Sequence, residues 1–219
     1  MIGKIKEFNF KSLLILNTFA LVVTSFFFNN FIFIGVYISF FFISLFTTKN
    51  GLKIIKKLNL RQNIRNEGPA IHFKKSDTPT MGGIFIIIPF LIFLLIITIN
   101  LSSVKLSLLL LNIFGFFITG FLDDYLSIKN KENTGLKTKE KFILQSIISI
   151  IFISLAYEKN LINPLIIVSD SWGINLDIFI LPISFLVLVG ISNSVNLTDG
   201  LDGLAAGCSG IVFYGLGTE

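Results

Sequence analysis

Apolar runs of roughly 16–20 residues recur along this 219-residue chain, separated by short polar segments. A helix rising about 1.5 Å per residue needs about that length to cross a hydrocarbon core of about 30 Å. Inside lipid every backbone N–H and C=O must find its partner within the protein, which leaves helices or a closed barrel. The runs lack the period-2 alternation of barrel strands, so the expected fold class is all-α: a polytopic integral membrane protein, one transmembrane bundle over residues 1–219. Spans are predicted at about 31–48, 79–99, 106–122, 142–157 and 178–193, with a further apolar stretch at 12–28 and a last one starting near Leu204. Composition agrees. The chain is 53% hydrophobic and 14% charged with a mean hydropathy of +0.83, whereas a soluble domain carries about a quarter charged residues.

The charges follow the spans. Lys plus Arg number 8 over residues 49–78, 1 over 100–105, 5 over 123–141, 1 over 158–177 and 0 over 194–203. The first four alternate as the positive-inside rule requires, which predicts cytoplasmic loops at 49–78 and 123–141 and, by parity, at 194–203. The net charge of +5 therefore reads as topology; no groove-entering motif accompanies it, so no nucleic-acid partner is expected. A single cysteine, Cys208, excludes an intrachain disulfide, and a single histidine, His72, excludes a histidine metal cluster within the chain. At the amino end Lys4, Lys6 and Lys11 precede residues 12–28, which read either as one arm of a tight helical hairpin or as a segment at the outer surface. No small-residue cleavage pattern follows, so the segment is expected to be retained.

Chemistry-bearing residues concentrate in the three loops assigned to one face. "GFLDDYLS" (120–127) ends a span with adjacent carboxylates, Asp123 and Asp124, whose mutual repulsion a cation or proton would relieve. "VNLTDGLDGLAAG" (195–207) carries Asp199 and Asp202 at i and i+3, on one face if the segment is helical, beside Gly200, Gly203 and Gly207 and close to Asn193, Asn196 and Thr198. "HFKKSDTPTMGG" (72–83) brings Lys74 and Lys75 before a turn fixed by Pro79, and residues 130–145 add Lys131, Lys137, Lys139 and Lys141. Each group alone has a bland reading: solvated span ends, a helix cap, lysines against lipid phosphates. Together they suit transfer of a phosphoryl group between a soluble charged donor and a lipid, with carboxylates holding Mg²⁺ and lysines neutralising a diphosphate. A transporter is disfavoured because the midplane stretches hold few ionisable groups.

The segments "RNEGPAIHFKKSDTPTMGG", "GFLDDYLSIKN", "KEKFILQ" and "NSVNLTDGLDGLAAG" stand in the order and spacing of the phospho-N-acetylmuramoyl-pentapeptide transferases, and from about residue 30 to 207 the chain resembles that family. The resemblance implies transfer of phospho-MurNAc-pentapeptide from UDP-MurNAc-pentapeptide to undecaprenyl phosphate, giving lipid I and UMP with Mg²⁺. This is a step of peptidoglycan synthesis at the cytoplasmic face of the bacterial inner membrane. It assigns catalysis to Asp123 and Asp124, the first as a base toward the lipid phosphate. It assigns substrate binding to Lys75, Thr80, Lys131, Lys141, Asn196, Asp199, Gly200, Leu201 and Asp202. No metal ligand is assigned, because the family's Mg²⁺-associated aspartate falls beyond residue 219. Ser127 replaces the family's usual lysine. The family continues well past Glu219, so a truncated, frameshifted or fragmentary product is expected, its activity open. A homodimer is left open too. Two alternatives remain: a polyprenyl-phosphate GlcNAc-1-phosphate transferase, and a non-catalytic membrane relic or scaffold.

Overall fold

The computed structural model describes residues 31–60, 79–130, 135–169, 172–199 and 203–216. Its long helices are α1 (Phe31–Lys57), α2 (Ile84–Leu101), α3 (Val104–Asn130), α4 (Thr138–Glu158) and α5 (Ile180–Thr198), followed by a shorter α6 (Leu204–Leu216). Five helical segments are long and apolar enough to cross a membrane, as expected for a multi-pass all-α protein. The predicted spans at 31–48, 79–99, 106–122, 142–157 and 178–193 each fall on one of them. Stretch 12–28 lies outside the described residues.

Each helix packs mainly on its neighbours in the chain, α1 on α2 through to α5 on α6. Short links enforce this. Two residues join α2 to α3, with Ser102 in the left-handed region at φ 47°, so the two helices must run antiparallel. The start of α4 is set by Glu140, whose Oε2 accepts the N–H of Lys137 at 2.9 Å, an acid at the positive end of a helix. At most 22% of the most apolar window of any span is buried by the protein, so the greater part of the apolar surface must face lipid or other protein.

Pro89 lies inside α2 and has no N–H to give the carbonyl of Phe85 four residues earlier. The hydroxyl of Thr47 on α1 donates to that carbonyl at 2.7 Å. A neighbouring helix thus closes the gap that proline opens, which a membrane interior requires. Phe40 adds edge contacts to Phe93 and Phe90, with ring centroids 4.4 and 6.1 Å apart.

One element departs from expectation. Between α4 and α5, in the region read as a plain loop, β1 (Leu165–Ser169) pairs antiparallel with β2 (Trp172–Asn175), Ile166 opposite Ile174, with a bulge between Ile167 and Ser169. The hairpin sits at the end of the bundle away from the polar loops. Its sequence signal was the β-branched run Ile166–Ile167–Val168, too short to stand out against the apolar background.

Candidate active site at one end of the bundle

The antiparallel order brings the end of α1, the start of α2, the end of α3, the start of α4 and the end of α5 to the same end of the bundle. Helix α3 has 27 residues, about 40 Å at the usual rise, more than a hydrocarbon core needs. The aspartates lie on its surplus turns. The apolar run ends at residue 122, but the helix continues to Asn130.

Adjacent residues on a helix diverge by about 100°. Because α3 packs between α2 and α4, its two carboxylates address different neighbours. Asp123 faces α4: Lys141 Nζ donates to Oδ2 at 2.7 Å, and the N–H of Leu136 donates to Oδ1 at 2.9 Å. The ion pair is largely covered, with 17% of the lysine side chain and 25% of the aspartate side chain exposed. Gly135 makes this possible, since a β-carbon there would collide with the backbone carbonyl of Asp123. Asp124 faces the start of α2, where the backbone N–H of Met81 hydrogen-bonds to it. Met81 is buried and held at φ 66°, a strained conformation for a residue with a side chain. Thr80 pins the same strap to the end of α1, its N–H donating to the carbonyl of Leu60 at 3.2 Å.

Helix α5 joins this end through α4. Gln145, one turn beyond Lys141, donates through Nε2 to Ser192 Oγ at 3.1 Å and accepts from Asn193 Nδ2 at 2.7 Å. Asn196 and Asp199 follow on α5, both exposed and without a side-chain partner among the described residues. The helix stops there: the N–H of Asp199 still reaches the carbonyl of Val195 at 3.2 Å, and α6 begins only after Gly203, at φ 82°. Asp199 thus caps α5, and Gly203 takes the left-handed conformation that glycine adopts most readily; Asp202, the other carboxylate of the i, i+3 pair, lies outside the described residues.

Of the residues singled out from sequence, Thr80, Asp123, Asp124 and Lys141 are brought together, and Asn196 and Asp199 lie at the same end on α5. Lys75, Lys131, Gly200, Leu201 and Asp202 lie outside the described residues, as do His72 and Lys74. Met81, Gly135, Leu136 and Gln145 join the site without having stood out in the sequence. Three of these act through the backbone, which residue type does not reveal, and Gln145 lay unremarked within the quoted "KEKFILQ". Among the described residues no three His, Cys, Asp or Glu side chains gather to hold a metal ion.

Fold and site together define a multi-pass helical membrane protein with a carboxylate pair and a lysine built into one end of the bundle. The glycosyl transferase family 4 profile matches residues 106–218, about half the chain and the part that holds both aspartates, Lys141 and Asn196, and the chain belongs to that family. The phospho-N-acetylmuramoyl-pentapeptide-transferase signature 1 matches residues 75–87, the strap around Thr80 and Met81. Over all 219 residues the chain is 85% identical to the phospho-N-acetylmuramoyl-pentapeptide-transferase of Prochlorococcus marinus strain MIT 9301, covering 61% of that protein. It is 57% identical to the Prochlorococcus marinus subsp. pastoris protein of the same name, again covering 61% of it. It is also 40% identical over 175 residues to the one from Halalkalibacterium halodurans, covering 79% of this chain and 54% of that protein. The chain thus spans about three fifths of the length of the Prochlorococcus relatives, and the resemblance drawn from its motifs holds.

Proposed function

We propose that the chain forms the amino-terminal part of a phospho-N-acetylmuramoyl-pentapeptide transferase and contributes to its active site on the cytoplasmic face of the inner membrane. The substrates are UDP-MurNAc-pentapeptide and undecaprenyl phosphate. An oxygen of the lipid phosphate attacks the β-phosphorus of the donor, the bond from that phosphorus to the bridging oxygen breaks, and UMP leaves with the bridging oxygen while lipid I forms. The observation that carries this reading is the Asp123–Lys141 pair beside Asp124, built on the signature strap, at the bundle end that also holds Asn196 and Asp199.

The two aspartates divide the work. Asp123 has one carboxylate oxygen on Lys141 and the other on the amide of Leu136, so it anchors the lysine and the 135–137 turn. Lys141 supplies the positive charge for the diphosphate oxygens, whose charge shifts as the bond breaks. Asp124 has no ion-pair partner among the described residues within salt-bridge distance, and its carboxylate is the one left for substrate or metal. The second ionisation of a phosphate monoester falls at about pH 6, so the lipid nucleophile is largely deprotonated at neutral pH and asks little of a general base.

Magnesium fits this donor set as an ion shared with the substrate. Mg²⁺ commonly takes one or two carboxylates and completes its shell with phosphate oxygens and water, so the lack of a three-carboxylate cluster among the described residues is no obstacle. Asp124 would hold it. When bound, the ion neutralises charge on the diphosphate.

The test is lipid I and UMP formation by the full product of the gene with undecaprenyl phosphate, UDP-MurNAc-pentapeptide and Mg²⁺. Activity is expected to vanish with EDTA and to fall by about 10²–10³ in Asp124→Asn. Use of UDP-GlcNAc to the exclusion of the muramoyl donor would overturn the substrate assignment. An Asp124→Asn enzyme as active as the parent would overturn the site.

A further inference from the structure

Gln145 is 2% exposed and lies within a span, where a primary amide is tolerated only if its hydrogen bonds are met. Both of its ends are used, and both partners are on α5: Nε2 donates to Ser192 Oγ at 3.1 Å and Oε1 accepts from Asn193 Nδ2 at 2.7 Å. Asn193 is itself fixed, donating to the carbonyl of Val189 at 2.8 Å. Among the described residues these are the side-chain hydrogen bonds that tie α4 to α5. Apolar contacts in lipid let two helices slide or rotate at little cost, whereas a two-ended amide fixes both axial register and rotation.

Their position gives them a consequence. Lys141 and Gln145 are at i and i+4, one turn apart on the same stripe of α4, and α4 packs against both α3 and α5. Asn193 and Asn196 are at i and i+3 on α5. The amide tie thus sits one turn inside the bundle from Lys141 on one helix and from Asn196 on the other.

We propose that Gln145 is a positioning residue that, through Ser192 and Asn193, holds the Asn196–Asp199 end of α5 in register with the Asp123–Lys141 pair. This rests on the functional reading above as regards catalysis, but its geometric content stands without it. Gln145 acts without touching substrate or metal; it sets the distance between the lysine and the segment beyond Asn196. Replacing it by leucine keeps the volume and the apolar packing, and removes the register.

Two measurements on the full product of the gene in nanodiscs test it. The first needs no activity: spin labels on Lys139→Cys and Asp199→Cys, in a Cys208→Ser background, report the separation of the two helix ends. The distance distribution is expected to be narrow with Gln145 present and shifted or clearly broadened in Gln145→Leu; an unchanged distribution overturns the proposal. The second is kinetic. Gln145→Leu is expected to change the donor KM or kcat by about tenfold, with the lipid KM and the melting temperature nearly unchanged. In an Asn196→Ala background its added effect should largely disappear, since both changes act through the same contact. Fully additive effects, or a loss that follows the melting temperature, overturn positioning in favour of plain packing. Should Gln145→Leu fail to accumulate, Asn193→Ala removes one half of the tie and carries the same comparisons. A parent enzyme that forms no lipid I, while Gln145→Leu still shifts the distances, defeats the functional reading and leaves the positioning role standing.

Discussion

Two acidic groups stand at the same end of this bundle in opposite physical states. Asp123 and Asp124 are on a continuous helix packed on both sides, and each carboxylate is already engaged, one by Lys141 and Leu136, the other by the amide of Met81. Asp199 stands at the end of α5, exposed, and among the described residues only its backbone is bonded. The first group is preorganised, so its charges are in place before any ligand arrives and need no reorganisation during reaction. The second is free to rotate and gains its geometry from whatever binds. A site divided this way separates charge neutralisation, which sets rate, from recognition, which sets affinity. Substitutions in the two groups should therefore show different kinetic signatures.

The largest effect is expected from Lys141→Met. It removes the cation while leaving Asp123 and Asp124 side by side, so the diphosphate meets two uncompensated negative charges. In the proposed reaction kcat is expected to fall by about 10²–10³, the range seen when a preorganised electrostatic donor is lost. The start of α4 keeps its Glu140 cap, so the protein should still accumulate in the membrane. The readout is the rate of lipid I formation with both substrates saturating, and a loss smaller than about tenfold would mean that the covered ion pair is only structural.

Next comes Gly135→Ala. The added methyl meets the backbone of Asp123, a rigid neighbour, so the 135–137 turn must move and the N–H of Leu136 must leave the carboxylate. Overpacking of this kind costs about 1–3 kcal/mol, and the displaced turn is expected to lower kcat by about tenfold together with the melting temperature. Gly203→Ala provides the contrast. It has open space around it and a cost that is purely conformational, from its φ of 82°, so it should destabilise less and leave kcat alone. Equal kinetic damage from the two glycines would erase the distinction between a built half and a loose one.

The same division explains what could be read from the chain. Apolar run length placed the spans because the lipid constraint acts on every residue of a helix, and the carboxylates and Lys141 were visible because charges are rare here. What escaped depends on backbone direction. That Met81 offers an amide to Asp124 follows from its left-handed φ, which nothing in the side chain of methionine encodes. The fork of Asp123 and Asp124 toward different neighbours needed the order of helices in space, since spacing alone says only that adjacent residues diverge. Whether Asp199 and Asp202 share a helical face could not be read from their i and i+3 spacing, because that spacing fits a helix whether or not the glycine between them ends it; α5 itself stops at Thr198. The hairpin at 165–175 was lost in a background where strand formers are everywhere.

The smallest effect, and the one that most sharpens the comparison, is expected from Asp199→Asn. The amide keeps the shape of the side chain and removes its charge. Because the carboxylate has no intramolecular partner among the described residues, no buried group is left unsatisfied and no ion pair is broken, so the melting temperature should stay within about 2 °C. If the segment recognises the nucleotide-sugar, one polar contact is weakened in ground state and transition state alike, which raises the donor KM by about 3–10-fold and leaves kcat nearly unchanged. Initial rates across a range of donor concentration at saturating lipid separate the two parameters. A fall in kcat as large as that of Lys141→Met would place Asp199 among the charges that act on the reacting phosphates, and the exposed end of α5 would then have to be reorganised by substrate into a site as closely held as the end of α3.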